Sequence, residues 1–202
     1  MKIGILGAGT VGGNLGRGWA RHGHEVMFSS RDPHSDTMRA LTAETGAKAG
    51  TPQQTLDFGE VVAIALRWDV LPGVVKSLSG WDNKIIIDAT NRFGPPPADS
   101  IGTSSQDIAH WTQARLVKCF NSIGAEHFIN PVFNGLSASA FLCGDDPDAR
   151  KTVSQLAADL GFDPVDMGEL AQEGALSALA QVWVGMSRTG FGRNIAFKLL
   201  RR

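Results

Sequence analysis

Three glycines near the start of the chain have a spacing that suits phosphate binding. Gly7, Gly9 and Gly12 form G-x-G-x-x-G, with Thr10 and Val11 before the last glycine. In such a turn the first glycine permits a tight bend, the second lets the backbone approach a pyrophosphate, and the third lets the next helix pack closely. The phosphates then meet free N–H groups at the helix N-terminus. The motif predicts a dinucleotide site, and the alternative is a glycine turn that only aids packing.

A second group of polar residues bears on which dinucleotide is bound. Ser29, Ser30 and Arg31 stand where an NAD site usually places Asp or Glu for the ribose 2′-hydroxyl. A guanidinium makes bidentate, charge-assisted bonds to a phosphate, and serine hydroxyls can complete such a site. Asp32 leaves an alternative, since a one-residue shift would aim it at the ribose, but a cap for the helix after Pro33 is its more ordinary role. We therefore expect NADP(H).

The elements that position these residues can be predicted from apolar patterning. Short apolar runs alternate with helical patterns along the chain, which predicts an α/β fold, a Rossmann-type doubly wound parallel sheet with right-handed crossovers. The predicted strands are 2–6, 25–29, a short one near Lys48, 61–66, 84–88, 115–120, 138–143 and 162–165. The predicted helices follow Gly9, Pro33, Pro52, Pro72, Ser105 and Asp146.

The last part of the chain is predicted to be helical. Residues 1–168 are expected to form the NADP-binding domain, and 169–202 a short helical appendage with a break at 190–192. That appendage would complete the substrate pocket, the dimer interface, or both. The 92–105 segment has little apolar periodicity, and it is either a lid or binding loop or a loose connection.

Ligands of open α/β sheets lie across the carboxyl ends of the strands. The further candidate cofactor-binding residues at these ends are Leu66, Arg67, Trp68, Thr90, Asn91, Asn121 and Ile123. They include no acid–base pair and no metal-ligand spacing, so we expect neither a catalytic side chain nor a metal. His127 either approaches the site or is a surface residue. Such a site suits direct hydride transfer between two bound rings, driven by positioning.

Composition excludes several other classes of protein. The chain has 202 residues and a formal net charge of -1, with scattered basic residues, so no nucleic-acid or membrane partner is expected. Cys119 and Cys143 lie in apolar segments and are expected to be buried free thiols. The first strand begins at residue 2, which leaves no room for a signal peptide, and no apolar run is long enough to span a bilayer. We expect a cytoplasmic protein.

Beyond these physical arguments, the sequence resembles the F-420-dependent NADP oxidoreductases over nearly its whole length. The resemblance rests on the segments MKIGILGAGTVGGNLG, SSRDP, LRW, CFNSIGAEHF, LCGDDPDARK, DMGEL and GFGRNIAFKLL, in that order. It implies a homodimer that passes a hydride between NADP(H) and a small-molecule acceptor, the deazaflavin coenzyme F-420, without covalent catalysis. Eukaryotic ferric reductases carry a related domain.

The resemblance also implies roles for individual residues. Thr10 and Val11 would join the glycines at the pyrophosphate, and Ser30 and Arg31 would hold the 2′-phosphate. Ile123 would back the nicotinamide and help to set the donor–acceptor distance.

The sequence departs from the family pattern at two positions. Ser35 stands where some members have a basic residue, and Arg67 where proline is frequent. These departures leave the acceptor open, so a flavin, a quinone or an imine is the alternative to coenzyme F-420. A non-catalytic NADP(H)-binding sensor is the alternative to an enzyme.

Overall fold

A six-stranded parallel sheet forms the centre of the molecule, in a computed structural model that describes all residues from 1 to 202. The strand order is β3-β2-β1-β4-β5-β6, which confirms the predicted α/β, Rossmann-type fold. The order reverses between β1 and β4, where doubly wound sheets open a crevice for ligands. The strands are β1 Lys2–Leu6, β2 Glu25–Ser29, β3 Lys48–Gly50, β4 Val61–Ile64, β5 Ile85–Asp88 and β6 Arg115–Lys118.

Seven α-helices surround the sheet. They are α1 Thr10–Arg21, α2 Asp36–Thr45, α3 Pro52–Phe58, α4 Leu71–Ser77, α5 Ser104–Thr112, α6 Pro147–Asp159 and α7 Glu173–Ser187. None of these helices is long and apolar enough to cross a lipid bilayer.

Both faces of the sheet are covered, which explains the nearly continuous apolar runs in its central strands. Ile5 and Ala63 belong to one core, which also holds the fully buried Trp19 of α1. Ile64 and Ile86 belong to the second core on the opposite face. Because neighbouring residues of a strand point to opposite faces, each of these strands contributes to both cores.

The last two predicted strands do not extend the parallel sheet. β9 Ser139–Leu142 and β10 Asp163–Asp166 form a separate parallel pair. An antiparallel bridge between Lys118 and Cys143, with N–O distances of 2.8 and 3.1 Å, joins this pair to the end of β6. The chain reaches β9 through a small hairpin, β7 Val132–Phe133 and β8 Leu136–Ser137, which was not predicted. Without a helical crossover the chain returns antiparallel to β6.

The helical prediction for residues 169–202 is correct only for its first half. α7 ends at Ser187, and residues 193–202 adopt no helix. This tail runs beside β9, where the Ser139 N–H donates to the Phe197 carbonyl (2.9 Å) and the Leu199 N–H donates to Ser139 Oγ (3.0 Å). The backbone groups at this edge of β9 thus find partners in an extended chain, and this tertiary pairing overrides the local helical pattern.

The predicted helix after Pro33 begins three residues later than Pro33, at Asp36, with Ser35 at its N-cap position. The Asp32 carboxylate accepts a hydrogen bond from the His34 N–H (3.0 Å). Asp32 therefore closes the turn before α2 and does not cap the helix. Other predicted bounds differ from the observed ones by one or two residues.

Candidate functional site

The glycine turn after β1 has the geometry that its spacing predicts. Gly7 has a φ of 105°, which side-chain-bearing residues rarely adopt. A Cβ on Gly12 would lie 1.9 Å from the Gly7 carbonyl oxygen, so α1 packs against the turn too closely for any side chain. A Cβ on Gly9 would meet no atom within 4 Å. The turn therefore leaves open space in front of the backbone at Gly9, as a phosphate cradle requires.

Three of the helices carry side-chain caps at their N-termini, whereas α1, α2, α4 and α7 do not. Side chains of Thr51, Thr103 and Asp146 accept N–H groups in the first turns of α3, α5 and α6. No side chain caps α1, whose N-cap is Gly9, and its first turn holds no acidic residue. Its first N–H groups are thus left for an anionic ligand, which the helix dipole also attracts.

The three predicted residues at the end of β2 have different roles. Ser29 is buried, and its Oγ accepts the Gly7 N–H at 3.0 Å, so this hydroxyl supports the glycine turn. Ser30 Oγ binds the backbone of Asp32, accepting from N (3.1 Å) and donating to O (2.9 Å). Arg31 is exposed. With the Asp32 carboxylate engaged by His34, Arg31 is the cationic side chain presented here to a 2′-phosphate.

The turn and the end of β2 line one cavity of about 600 Å³. Of the residues predicted from sequence, it brings together Gly7, Ser29, Ser30, Arg31, Leu66 and Arg67. Its other lining residues, which the prediction missed, are Ala8, Pro52, Asp69, Val70 and Val74. Asp69 and Val70 belong to the loop that enters α4, and Val74 lies in that helix; no sequence pattern singles them out.

A second cavity of about 510 Å³ adjoins the first, because Arg67 and Asp69 line both. Arg67 forms a bidentate ion pair with Asp69 (3.2 and 2.6 Å) and is 85 % exposed. The second cavity is also lined by Trp68, Asn91 and Phe93. Trp68 is held in place by stacking on Trp111, with ring centroids 6.2 Å apart. The second cavity thus offers an aromatic surface next to the first cavity.

The 92–105 loop is anchored at its base and open at its tip. Arg92 pairs with the buried Asp107 at 2.7 Å, and Asp107 also accepts from Ser100 Oγ and the Ile101 N–H, both at 2.7 Å. The exposed Phe93 lines the second cavity together with Gly94 and Pro95. The loop is therefore not a loose connection, and its tip forms part of a cavity wall.

Three other predicted residues lie beneath or beside these cavities. Thr90 and Asn121 are about 5 % exposed, and Ile123 packs against the main core. Asn121 Nδ2 donates to Asn91 Oδ1 (3.2 Å) and to the Leu176 carbonyl of α7 (3.1 Å). Contact of these residues with a cofactor stays a prediction.

The remaining candidate, His127, has partners in and near the C-terminal segment. His127 Nε2 lies 3.1 Å from the Arg193 carbonyl, and its ring packs on Phe133. The guanidinium of Arg193 pairs with Glu126 at 2.7 Å. These groups fasten the tail to the body of the protein.

A buried charged cluster beneath the strand ends was not predicted. Lys118 is fully buried, and its Nζ donates to Asp88 Oδ2 (2.9 Å) and to the Thr90 carbonyl (2.6 Å). Glu173, the first residue of α7, is 2 % exposed, with Oε1 3.9 Å from Lys118 Nζ. The sequence signal was that the apolar β5 and β6 both end on charged residues, which the observed register places opposite each other.

Burial alone would raise the pKa of the Asp88 carboxyl. The Lys118 ammonium and the hydrogen bonds from Ser105, Thr90 and Lys118 outweigh that effect and lower this pKa below its ordinary value. Asp88 is therefore ionised at neutral pH. Nearby, burial raises the pKa of the Cys143 thiol to about 12, and both cysteines are buried and free, as predicted.

Comparison with known proteins supports the resemblance seen in the sequence. The family model for NADP oxidoreductases that are coenzyme F-420-dependent matches residues 2–92. A crystal structure from Arthrobacter sp. FB24, provisionally described as an F-420-dependent NADP-reductase, has a TM-score of 0.85 and 26 % identity and covers 100 % of both chains. The protein SMa0349 of Sinorhizobium meliloti has a TM-score of 0.74 and 29 % identity over 86 % of this chain and 88 % of its own.

A curated relative is a part-length match. The metalloreductase STEAP3 of Rattus norvegicus is 28 % identical over 182 residues, which is 88 % of this chain but 36 % of that protein. The chain thus spans about a third of the length of this relative. A reductive aminase of Aspergillus terreus in complex with NADPH shares the fold, with a TM-score of 0.67 and 17 % identity over 92 % of this chain and 63 % of its own. The resemblance predicted from the sequence is confirmed: residues 2–92 match the family model for coenzyme F-420-dependent NADP oxidoreductases, and the Arthrobacter structure matches over the whole chain.

Proposed function

We propose that this protein is an NADP(H)-dependent oxidoreductase that transfers a hydride between the nicotinamide and a deazaflavin, coenzyme F-420. The observation that carries the proposal is the uncapped N-terminus of α1, which faces the open space at Gly9. The family match supports the choice of cofactor and of reaction. Exposed Arg31, on the wall of the same cavity, supports NADP(H) over NAD(H).

The residues of the site would act by binding and orientation. The N–H groups at the start of α1 would hold the pyrophosphate and Arg31 the 2′-phosphate, and Ser30 would join Arg31 by turning its hydroxyl away from the Asp32 carbonyl. The carboxyl ends of β4, β5 and β6 would receive the nicotinamide, which would supply the hydride when NADPH is bound. Ile123 would limit how deep the ring sits, and Trp68 and the exposed Phe93 would offer the acceptor an aromatic wall. Placing two rings face to face is the main requirement of such a transfer.

The adjoining aromatic cavity also suits other planar acceptors. A flavin, a quinone or an imine is therefore the second candidate class, and the stacked pair of Trp68 and Trp111 next to the dinucleotide cavity favours an aromatic ring among them. The alternative to an enzyme is a sensor that binds NADP(H) without turnover. From the family resemblance we further propose a homodimer, located in the cytoplasm, and sedimentation of the purified protein tests the dimer.

The test of the function is to mix the protein with NADPH and oxidised coenzyme F-420 and to follow the deazaflavin absorbance band. Rapid bleaching that NADH does not support is the expected result. Tight NADPH binding without bleaching would reject the acceptor but keep the cofactor, and reduction of a flavin or a quinone would then identify the second class. Binding without turnover of any of these acceptors would favour the sensor.

Substitution of Arg31 by alanine tests the cofactor preference. Loss of a charge-assisted bond to the 2′-phosphate should weaken NADPH binding by roughly 1.5–3 kcal/mol, with exposure favouring the low end. NADH binding should change little, because NADH lacks that phosphate. Arg21→Ala, at the far end of α1, is the control and should leave both affinities unchanged. Equal losses for NADPH and NADH in Arg31→Ala would reject the assignment.

A further inference from the structure

The buried cluster has more carboxylates than cations. Asp88 and Lys118 are the last residues of β5 and β6, and Glu173 is the first residue of α7. All three are at most 2 % exposed, so solvent does not screen their charges. The cluster ties two neighbouring strands of the sheet to the helix that covers them.

Hydrogen-bond donors surround the oxygens of both carboxyl groups. The Asp88 oxygens accept from Thr90 N (2.9 Å), Thr90 Oγ1 (2.7 Å), Ser105 Oγ (2.7 Å) and Lys118 Nζ (2.9 Å). Glu173 Oε1 accepts from Ser104 Oγ (3.1 Å) and Ser177 Oγ (2.9 Å). The formal charges of two carboxylates and one ammonium give the cluster a net charge of about -1.

This charge lies directly behind the strand ends. Lys118 Nζ binds the Thr90 carbonyl, and the next residue, Asn91, lines the second cavity. Asn91 and Asn121 bind each other and, through Asn121, the backbone of α7. The nicotinamide half of a dinucleotide bound at α1 would reach this same edge of the sheet.

We infer that the cluster of Asp88, Lys118 and Glu173 is an electrostatic element of the site that favours the oxidised nicotinamide. The inference rests on the proposed binding of NADP(H). The nicotinamide ring is neutral in NADPH and carries a positive charge in NADP+. A fixed negative charge behind the ring therefore stabilises NADP+ relative to NADPH and assists departure of the hydride. These three residues act on the ring through space and by positioning Thr90, without contact to the reacting atoms.

The size of the effect follows from Coulomb's law. A unit charge about 10 Å from the ring, at an effective dielectric constant of about 20 to 40, changes the relative affinity for the two forms roughly 4- to 20-fold. For a two-electron couple, a tenfold change in this ratio corresponds to about 30 mV in the potential of the bound cofactor.

The experiment is to measure the dissociation constants of NADP+ and NADPH for the wild-type chain and for Glu173→Gln. Glutamine keeps an oxygen that can accept from Ser104 and Ser177 but removes the charge. We expect the NADP+/NADPH ratio of dissociation constants to rise about 4- to 20-fold, with NADPH binding nearly unchanged. Ser177→Ala is the matched control, because it removes a hydrogen bond to Glu173 and keeps its charge, and it should leave the ratio unchanged.

The outcomes separate this inference from the proposed function. If Glu173→Gln weakens the binding of NADP+ and NADPH equally, or leaves the ratio of their dissociation constants unchanged, the cluster only packs α7. Either result would overturn the inference, while the proposed binding of NADP(H) would stand. Failure of the wild-type chain to bind either nucleotide would overturn both. If Glu173→Gln does not fold, Asp88→Asn removes the same charge from the other side of Lys118 and must shift the ratio in the same direction.

Discussion

Substitution of Gly9 by valine should abolish NADPH binding and leave the fold intact. The backbone of Gly9 has a φ of -74°, which any residue can adopt, and an added Cβ meets no protein atom within 4 Å. The new side chain would therefore occupy the space in which the pyrophosphate approaches the N-terminus of α1. Loss of one or two charge-assisted hydrogen bonds there amounts to roughly 2–6 kcal/mol, or at least about 30-fold in affinity. Titration with NADPH and thermal unfolding measure the two effects separately.

Gly12→Ala is the informative counterpart of that variant. Its Cβ would lie 1.9 Å from the Gly7 carbonyl oxygen, so α1 must shift away from the turn. We expect this variant to lose stability as well as binding. If Gly9→Val bound NADPH as tightly as the wild type, the phosphate site would not lie at this turn, and the cofactor assignment would fall.

Substitution of Lys118 by methionine should destabilise the protein by about 3–5 kcal/mol, because it leaves two buried carboxylates without their cation. Methionine has a similar length and fits an apolar surrounding, so packing changes little. Denaturant unfolding measures the effect. Lys151→Met, at an exposed position of α6, is the control and should change stability by no more than about 0.5 kcal/mol.

This loss should depend on pH in a defined direction. In the wild-type chain the pKa of Asp88 lies below its ordinary value, so its contribution to stability is present above the unfolded pKa and is lost as the pH falls through the native one. Without Lys118, burial raises that pKa and the carboxyl becomes protonated instead. The difference in unfolding free energy should therefore be largest near neutral pH, fall as the pH drops through the raised pKa of the variant towards about 4, and shrink further below that pH. A difference that is constant from pH 4 to 8 would contradict this account.

Local signals were enough to predict the dinucleotide half of the fold. Gly7, Gly9 and Gly12 are constrained by the turn that they themselves form, and Arg31 follows the next strand directly. Each central strand is buried on both faces, so its apolar run could be found without knowledge of its neighbours. Because the strands are parallel, their carboxyl ends must lie at the same edge of the sheet, and the site could be expected there.

Features that depend on distant parts of the chain could not be predicted in this way. Lys118 and Glu173 meet only because β6 and α7 pack together, and no local pattern marks Glu173 as buried. The same holds for residues 193–202, where pairing with β9 prevailed over a helical pattern. Asp107 likewise binds Arg92 and the Ile101 N–H, which lie earlier in the chain, and no local pattern indicates these contacts.

Because no side chain caps α1, the proposed nucleotide would complete the hydrogen bonding of the first turn of this helix. α3, α5 and α6 carry their own caps, whereas α1 would obtain one from a phosphate of the proposed nucleotide. In the ligand-free protein the first turn of α1 should fray, and its amide hydrogens should exchange early. Nucleotide at 100 times its dissociation constant would add about 2.7 kcal/mol to global stability. The lifetime of this protein would then follow the supply of its own cofactor.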